Sequence, residues 1–288
     1  MSEHGQAPED VISLKAARLR DLIASHAGLI VAYSGGIDSA YLAWIAHDVL
    51  GEKMRAVIAD SPSLARTHLA DALAFAREQG IPVEVVETRE LENPAYARND
   101  AMRCFHCKDE LFTVLERYMA EHEYSAIAYG VNADDQGDFR PGQKAAREHR
   151  ILAPLLDAGL AKDEIRQLAR EAGLRLWDKP ASACLSSRME YERQVTPEAL
   201  SVIERGEDGL RALGFRQFRV RHHGELVRVE IAKEEMPRAL TGEMTATFTE
   251  LFKTLGFKFV TLDLEGFRSG SMNQLLSAED LLRGRSAR

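Results

Sequence analysis

A glycine-rich turn near the N-terminus has the residues of a phosphate-binding loop. The sequence SGGIDS follows a short apolar run and precedes a helical pattern, and its candidate residues are Ser34, Gly35, Gly36, Asp38 and Ser39. The glycines allow a sharp turn and a close approach of the backbone to a ligand. The helix start offers N–H groups and a favourable dipole to an anion, and the serine hydroxyls can donate to phosphate oxygens. The loop is therefore predicted to bind phosphate, with an ordinary glycine-rich turn as the alternative.

Three cysteines form a second group that could do chemistry. Cys104 and Cys107 form a CxxC near a predicted helix start, and Cys184 lies in a polar loop bounded by a proline. Each could be a small buried apolar residue, and a CxxC alone also occurs in redox pairs and zinc sites. Together, three thiolates could hold a metal or a cluster with one position open, because iron–sulfur clusters usually take four cysteines.

Polar residues also follow two other predicted strands. Asp60 ends the second strand, and Gly130 ends the fourth strand and is followed by Asn132, Asp134 and Asp135. In an open α/β sheet, ligands bind at the carboxyl ends of the strands. Carboxylates at this edge could hold Mg²⁺, which prefers carboxylate, water and phosphate oxygens. A solvated turn is the alternative for Asp134 and Asp135.

Arginines alternate along one strand of a predicted hairpin, which is formed by residues 215–223 and 225–231. Arg219 and Arg221 fall on the face opposite the apolar residues, and Glu230 lies on the partner strand. A guanidinium suits two-point binding of a phosphate. This face is therefore predicted to bind an anion, with a solvated sheet face as the alternative.

Strand and helix patterns alternate through the first part of the chain. This alternation implies parallel strand pairing and an α/β fold with a doubly wound sheet. The predicted strands are 28–33, 55–59, 83–88, 125–131 and 151–156, and the predicted helices are 11–27, 40–50, 64–79, 103–121 and 162–172.

The pattern changes in the last third of the chain. A helix is predicted over 196–213, and the hairpin is followed by a mostly helical stretch, 233–255, and a strand over 257–264. These elements indicate a smaller α+β domain, so the expected domains are 1–183 and 184–288.

The composition is that of a globular protein, with 288 residues of which 45% are apolar and 28% charged. The longest apolar runs are strand-sized, so no membrane span is predicted. Residues 1–10 lack the features of a signal peptide, which predicts a cytoplasmic protein. A net charge of −8 argues against a general nucleic-acid binder, because such proteins usually present a basic surface. An odd number of cysteines in a reducing compartment predicts no disulfide framework.

The SGGIDS loop resembles the signature of the PP-loop ATP pyrophosphatase superfamily, and it lacks the lysine of a Walker A loop. The resemblance implies that residues 1–183 form a domain whose loop holds the pyrophosphate part of ATP while a substrate oxygen attacks the α-phosphorus. It implies catalytic roles for Ser34 and Asp38, and it places Asp60 and Gly130 in the ATP site.

The whole set of motifs resembles the LarE family of ATP-dependent sulfur transferases, which help to build the nickel-pincer cofactor of lactate racemase. The resemblance extends from about Leu22 to Leu276, and its motifs are SGGIDS, MRCFHCK, GVNADD, LAPLLDAGLAKDEIRQLAR, KPASACLSSR and LDLEGFRSGSMN. It implies that the carboxylate of pyridinium-3,5-biscarboxylic acid mononucleotide is adenylated with release of pyrophosphate and then receives sulfur with release of AMP. A homo-oligomer is expected as well.

Members of this family bind the phosphate of the mononucleotide near the hairpin and near a serine–arginine pair that follows the cysteine. The resemblance therefore assigns substrate binding to the second domain. The residues assigned are Ser187, Arg188, Arg219, Arg221, Glu230 and Arg268.

The family has two cysteine patterns. In one, a single cysteine that matches Cys184 gives up its own sulfur and becomes dehydroalanine. In the other, three cysteines bind a 4Fe-4S cluster whose open iron can carry a sulfide. Cys104, Cys107 and Cys184 match the second pattern. The resemblance thus implies ATP, Mg²⁺ and a 4Fe-4S cluster as cofactors, with Cys184 as a ligand in the catalytic site; zinc on three cysteines is the alternative metal.

Three other functions fit parts of the sequence. A tRNA thiolase of the same superfamily would need a basic RNA-binding surface, which the net charge of −8 speaks against. An ammonia-using NAD or GMP synthetase would not need three cysteines. A nucleotide-sensing or metal-storage module would release no pyrophosphate in the presence of substrate.

Overall fold

The computed structural model of the protein describes residues 8–136, 141–179, 183–268 and 272. The chain divides into two compact units. The first comprises Met1–Ser61, Arg66–Thr88 and Lys108–Ser182, and the second comprises Pro62–Ala65, Arg89–Cys107 and Ala183–Arg288. The boundary predicted at 183/184 follows the change of pattern along the sequence. Two segments on its N-terminal side, 62–65 and 89–107, nevertheless belong to the second unit.

A parallel sheet forms the centre of the first unit. Its strands are β1 (Leu29–Ala32), β2 (Met54–Asp60), β3 (Val83–Glu87) and β4 (Ala126–Tyr129). They lie in the order β3-β2-β1-β4, and all pairings are parallel. Every residue of β1 is buried, which explains why its sequence is an uninterrupted apolar run. The predicted α/β class is confirmed.

Helices connect these strands and continue into the second unit. They are α1 (Pro8–Ala24), α2 (Ile37–Leu50), α3 (Arg66–Glu78), α4 (Pro94–Ala97), α5 (Arg103–Glu121), α6 (Pro141–Glu148), α7 (Pro154–Asp157), α8 (Lys162–Glu171), α9 (Pro197–Ala212), α10 (Met236–Ala239) and α11 (Gly242–Thr254). The bounds of α5 are those that the sequence predicts. Among the helices of the described residues, none is long and apolar enough to cross a membrane.

The sequence predicts a fifth strand over 151–156, and this prediction is wrong. Leu152 makes a single bridge to Ala128 of β4, and α7 begins at Pro154. A proline has no N–H to donate to a strand ladder, and its fixed φ suits the first turn of a helix. Ile151, Pro154 and Leu155 of this run are buried all the same, with Leu155 fully inaccessible.

The direction of strand addition reverses at β1. The chain adds β2 and β3 on one side of β1 and then places β4 on the other side. At such a switch point the connections diverge and leave a crevice at the carboxyl ends of the strands, where α/β proteins bind ligands. The residues that follow β1 and β4 include the SGGIDS loop and Gly130.

The second unit contains a smaller mixed sheet of three strands, which are β5 (Phe218–His223), β6 (Leu226–Ile231) and β7 (Phe259–Leu262). The hairpin of β5 and β6 is confirmed, and β7 pairs with β6 in parallel. Gly224 turns the hairpin with a φ of +73°, which favours glycine. The inward residues Val220 and Val229 are fully buried with Phe252 of α11, so one face of the sheet forms the core of this unit.

Candidate active site

The SGGIDS loop joins β1 to α2 and brings its two serines together. Ser39 Oγ accepts a hydrogen bond from Ser34 N at 3.1 Å and lies 3.0 Å from Ser34 Oγ. Gly36 is the N-cap residue of α2 and provides no side-chain cap, so the first N–H groups are available to a ligand. Gly35 has a φ of +72°, and a Cβ there would lie 2.6 Å from Ala72 Cβ. Both conformation and space therefore require glycine at position 35.

Gly130 lets the end of β4 approach the start of α2. A Cβ at this position would lie 2.6 Å from Ser39 N and 2.9 Å from the carbonyl carbon of Asp38. Two residues later, Asn132 donates from Nδ2 to Asp38 Oδ1 at 3.2 Å. The structure thus brings the predicted residues of β1 and β4 together at one crevice, with Asn132 as a link.

The charged groups around this loop include a carboxylate that is largely shielded from water. Burial raises the pKa of Asp38, while Lys162 and the hydrogen bond from Asn132 act in the opposite direction. Asp135 lies near enough to raise the pKa of Asp38 further. Lys179 donates from Nζ to a carbonyl of the loop at 3.4 Å. The crevice therefore combines a poorly hydrated carboxylate with two lysines that sequence reasoning did not single out.

Two predicted acidic residues have partners within the first unit. Asp134 Oδ2 accepts a hydrogen bond from Lys162 N at 2.8 Å, at the start of α8. Asp60 forms an ion pair with Arg66, and Arg66 also donates to Ser61 O at 2.8 Å. Asp134 therefore contacts the start of α8, and the roles predicted for Asp134 and Asp60 stay predictions.

The three cysteines all lie in the second unit, and none of them forms a disulfide. Cys104 and Cys107 occupy the beginning of α5, where a spacing of three places two residues on the same side of a helix. Cys184 is the N-cap residue of a short 3-10 helix, Leu185–Arg188. The two cysteine segments are thus parts of one folded unit, although they are distant in sequence.

Two buried side chains have cysteines of both segments as neighbours. Burial lowers the pKa of Arg103, but Cys104 and Cys184 act against burial and the pKa is raised overall. Burial raises the pKa of Tyr96, and Cys184 and Cys107 add to the rise. The CxxC and Cys184 therefore share electrostatic neighbours. Within the described part of the chain, no three His, Cys, Asp or Glu side chains form a group ready to hold a metal ion.

A buried triangle of hydroxyl groups fixes the segment after Cys184. Tyr96 Oη lies 2.6 Å from Ser186 Oγ, and Ser186 Oγ lies 2.8 Å from Ser63 Oγ. Ser63 Oγ and Tyr96 Oη complete the triangle with a hydrogen bond. Each hydroxyl can donate once and accept once, so all three are satisfied without water. Sequence reasoning missed this triangle because its members come from three separate segments.

Among the residues that the structure describes, Arg188 is the largest fully buried side chain, and its guanidinium is engaged within the second unit. It forms a two-point ion pair with Glu207 of α9, at 2.8 Å and 3.2 Å. It also donates to the carbonyl oxygens of Ala183 and Cys184, at 2.7 Å and 2.9 Å. These contacts hold the backbone around Cys184, and the predicted contact of Arg188 with a substrate phosphate stays a prediction.

The other predicted substrate residues lie on the polar side of the small sheet. Arg219 is opposite Glu230 across the hairpin. Arg221 pairs with Glu230 at 2.8 Å and donates to Ser187 O at 3.0 Å. Burial, followed by the neighbouring charge of Arg188, lowers the pKa of Arg219 to about 10. Burial thus disfavours the charged form of Arg219, and a bound anion would favour it.

Arg268 lies on the same side of the sheet, where it forms ion pairs with acidic side chains. It pairs with Glu265 at 2.6 Å and with Asp263 at 3.7 Å. Asp263 also pairs with Arg228 of β6 at 2.7 Å. Residue 268 follows Phe267, whose ring lies 4.8 Å from the guanidinium carbon of Arg219. The remaining residues of the late motif, except Met272, lie outside the described residues.

Comparisons with known proteins agree with this architecture. Residues 15–124 match the NAD synthase family. A pyridinium-3,5-bisthiocarboxylic acid mononucleotide synthase of Lactiplantibacillus plantarum is 34% identical over 87% of this chain and 91% of its own length. An uncharacterized protein of Synechocystis sp. is 40% identical over 93% of this chain and 100% of its own length. A glutamine-hydrolyzing GMP synthase component from Pyrococcus furiosus is 25% identical over 68% of this chain and 66% of its own length.

The family match and the two relatives cover different lengths of the chain. The NAD synthase match stops at residue 124 and covers the region of the phosphate loop. The Lactiplantibacillus plantarum and Synechocystis relatives extend over 87% and 93% of the chain. A PP-loop at a strand switch point, together with similarity over nearly the whole length, shows that the chain belongs to the LarE family.

Proposed function

We propose that this protein is an ATP-dependent sulfur transferase, which adenylates a carboxylate of pyridinium-3,5-biscarboxylic acid mononucleotide and converts it to a thiocarboxylate. The observation that carries the proposal is the 34% identity, over 87% of the chain, to a pyridinium-3,5-bisthiocarboxylic acid mononucleotide synthase. That name describes the sulfur-containing counterpart of the proposed substrate. The phosphate loop at the switch point supplies a suitable place for ATP.

The first step activates a carboxylate, whose carbon is a poor electrophile because its negative charge is delocalised. A carboxylate oxygen attacks the α-phosphorus of ATP, and the bond to the bridging oxygen breaks as pyrophosphate leaves. Ser34, Ser39 and the first N–H groups of α2 stabilise the charge that develops on the pyrophosphate. Lys162 and Lys179 add positive charge beside the loop.

The donor set at the crevice suits Mg²⁺. The carboxylates of Asp38 and Asp135 are hard oxygen ligands, and Asp38 is buried enough that its pKa is raised. A cation partner favours the charged form of such a carboxylate. When bound, Mg²⁺ would offset the charge of the phosphates.

The second step delivers sulfur to the acyl-adenylate. A sulfide nucleophile attacks the carbonyl carbon, the bond to the AMP oxygen breaks, and AMP leaves with the electron pair. Cys104, Cys107 and Cys184 are the thiols that would hold a 4Fe-4S cluster, which when bound supplies an open iron for sulfide. The fit rests on three cysteines of one unit that form no disulfide, two of which, Cys104 and Cys184, neighbour the buried guanidinium of Arg103. Cluster binding requires the thiols to converge from their positions in this structure.

The mononucleotide phosphate is assigned to the polar side of the small sheet. Arg219 is the strongest candidate, because burial and the nearby charge of Arg188 lower its pKa, and a bound anion would favour its charged form. Arg221 and Arg268 lie beside it, each with a carboxylate partner. The domain predicted over 184–288 would thus bind substrate, and we also assign to it the contacts of the expected homo-oligomer.

The first prediction concerns the products of ATP cleavage. With the mononucleotide substrate, the protein should form AMP and pyrophosphate, because the loop lacks a Walker A lysine. Asp38→Ala should reduce pyrophosphate release to background while circular dichroism stays unchanged. Asp48→Ala serves as the control, since Asp48 lies on the same helix in an ion pair that is half exposed on both sides. ADP and free phosphate as products would overturn the assignment.

The second prediction concerns the fate of Cys184. Protein purified without oxygen should be brown, and Cys104→Ala, Cys107→Ala and Cys184→Ala should each lose the colour. A three-cysteine zinc site would be colourless. Mass spectrometry after turnover should find Cys184 intact, because the sulfur comes from bound sulfide. Dehydroalanine at position 184 in reconstituted protein would instead support the sacrificial route.

A further inference from the structure

Arg103 stands between the two cysteine segments of the second unit. Its Nη1 donates to Ser186 O at 2.9 Å and also to the side-chain oxygen of Asn99. Its Nη2 lies 4.0 Å from Cys104 Sγ, and its guanidinium carbon lies 5.7 Å from the centre of the Tyr191 ring. One side chain therefore connects the start of α5 with the backbone two residues after Cys184.

The charge of Arg103 has an unusual setting. The residue is 5% exposed, and among the described residues it forms no ion pair with a carboxylate. A buried charge is costly unless an opposite charge or several hydrogen bonds offset it. Arg188 and Arg221, which are also buried near Cys184, are already paired with Glu207 and Glu230, each at 2.8 Å. The cysteine sulfurs, with Cys104 Sγ 4.0 Å from Arg103 Nη2, are the neighbouring groups whose charge Arg103 would offset when a metal centre is bound.

We propose that Arg103 is a positioning residue, which holds the Cys184 segment against the start of α5 and supplies the buried positive charge that the three-cysteine site needs. The first half follows from its hydrogen bonds and does not depend on a cluster. The second half rests on the proposed function, because three thiolates with a cluster and a sulfide carry a net negative charge. A positive charge beside such a centre makes its reduction easier and its loss slower.

Substitution of Arg103 by lysine and by methionine tests the positioning role and the charge role separately. Arg103→Lys keeps a cation but loses the planar fork that reaches Ser186 and Asn99 at once. Arg103→Met loses both the charge and the hydrogen bonds while keeping an unbranched side chain. Arg98→Met is the matched control, since Arg98 lies in the same segment with its side chain 68% exposed.

The positioning half is tested on metal-free protein with dibromobimane, a reagent that bridges two neighbouring thiols. Peptide mapping should find bridges between Cys184 and the CxxC in the wild type and in Arg98→Met. The ratio of these bridges to singly modified Cys184 should fall about tenfold in Arg103→Met and Arg103→Lys, as expected for loss of a charged hydrogen bond. An unchanged ratio in both variants would overturn the positioning role.

The charge half is tested on anaerobically reconstituted protein. The midpoint potential of the cluster should shift to more negative values in Arg103→Met, and iron should be lost faster to a chelator. Arg103→Lys should restore most of both properties. An unchanged midpoint potential and an unchanged rate of iron loss in Arg103→Met would overturn the charge role. If Arg103→Met does not fold, a wild-type bridge ratio in Arg103→Lys would overturn the positioning role. Wild-type protein that takes up no iron and sulfide would refute the proposed cluster, while the bridging result would still decide the positioning role.

Discussion

Replacement of Gly130 by alanine is expected to lower pyrophosphate release by at least about 100-fold, the effect of misplacing reacting groups by about 1 Å. The added Cβ would lie 2.6 Å from Ser39 N and 2.8 Å from Ser39 Cα. These are backbone atoms at the start of α2, so no flexible side chain can move aside. Either the end of β4 or the phosphate loop must shift, and both shifts disturb the contact between Asn132 and Asp38.

The control for this substitution is Gly242→Ala. Gly242 is the first residue of α11, and a Cβ there would meet no atom within 4 Å. Alanine also has the higher helix propensity, so activity and melting temperature should stay near those of the wild type. Pyrophosphate release is measured for both variants at saturating ATP. Wild-type activity of Gly130→Ala would show that the approach of β4 to α2 is not needed for catalysis.

Removal of one partner of the Arg188–Glu207 pair is expected to destabilise the second unit by about 3–5 kcal/mol. Arg188→Met leaves the carboxylate of Glu207 buried, with side-chain exposures of 1% and 6% for the two partners. It also removes the donors to the carbonyl oxygens of Ala183 and Cys184. Hydrogen exchange of the α9 amides, measured by mass spectrometry, reports the loss directly.

A double variant, Arg188→Met with Glu207→Leu, should recover much of this stability, because it removes the unpaired charge as well. Lys258→Met breaks the pair of Lys258 with Glu225, whose side chains are 67% and 64% exposed, and should change stability by less than about 1 kcal/mol. The substrate KM separates this role from a phosphate contact, since Arg219→Ala should raise KM without changing exchange in α9. Wild-type exchange in Arg188→Met, combined with a raised KM, would instead identify Arg188 as a substrate ligand.

The sequence was sufficient where the signal is local. The SGGIDS loop, the bounds of α5 and the turn at Gly224 each follow from residues that are neighbours in the chain. The strand predicted over 151–156 failed because the apolar pattern is compatible with either a strand or a buried helix turn. Pro154 favours the helix turn, because the pairing with β4 ends after Leu152 and α7 begins at the proline.

The side chains that hold the cysteine segments in place could not be predicted from such local signals. Tyr96 and Arg103 act on Cys184 from positions more than 80 residues away in the sequence. The pairing of Arg188 with Glu207 joins a short 3-10 helix to a residue of α9 that lies 19 positions later. No periodicity marks such pairs, because only the folded chain brings their atoms together. Sequence reasoning therefore found the thiols but missed Tyr96 and Arg103, and it named Arg188 only as a substrate residue.

The discontinuous make-up of the second unit has a consequence for synthesis on the ribosome. Its core contains Ala65 and Tyr96 together with Leu185 and Val195, and backbone hydrogen bonds join Leu185 to Ser63 and Val195 to Ala97. A nascent chain that ends before residue 183 has made the CxxC but not the residues that bury its surroundings. Because domains fold as units once their residues have emerged, the segment with the two early cysteines stays without its folding partners until the C-terminal third is made. Loading of any metal centre on all three cysteines is thereby confined to the time after translation of this last part.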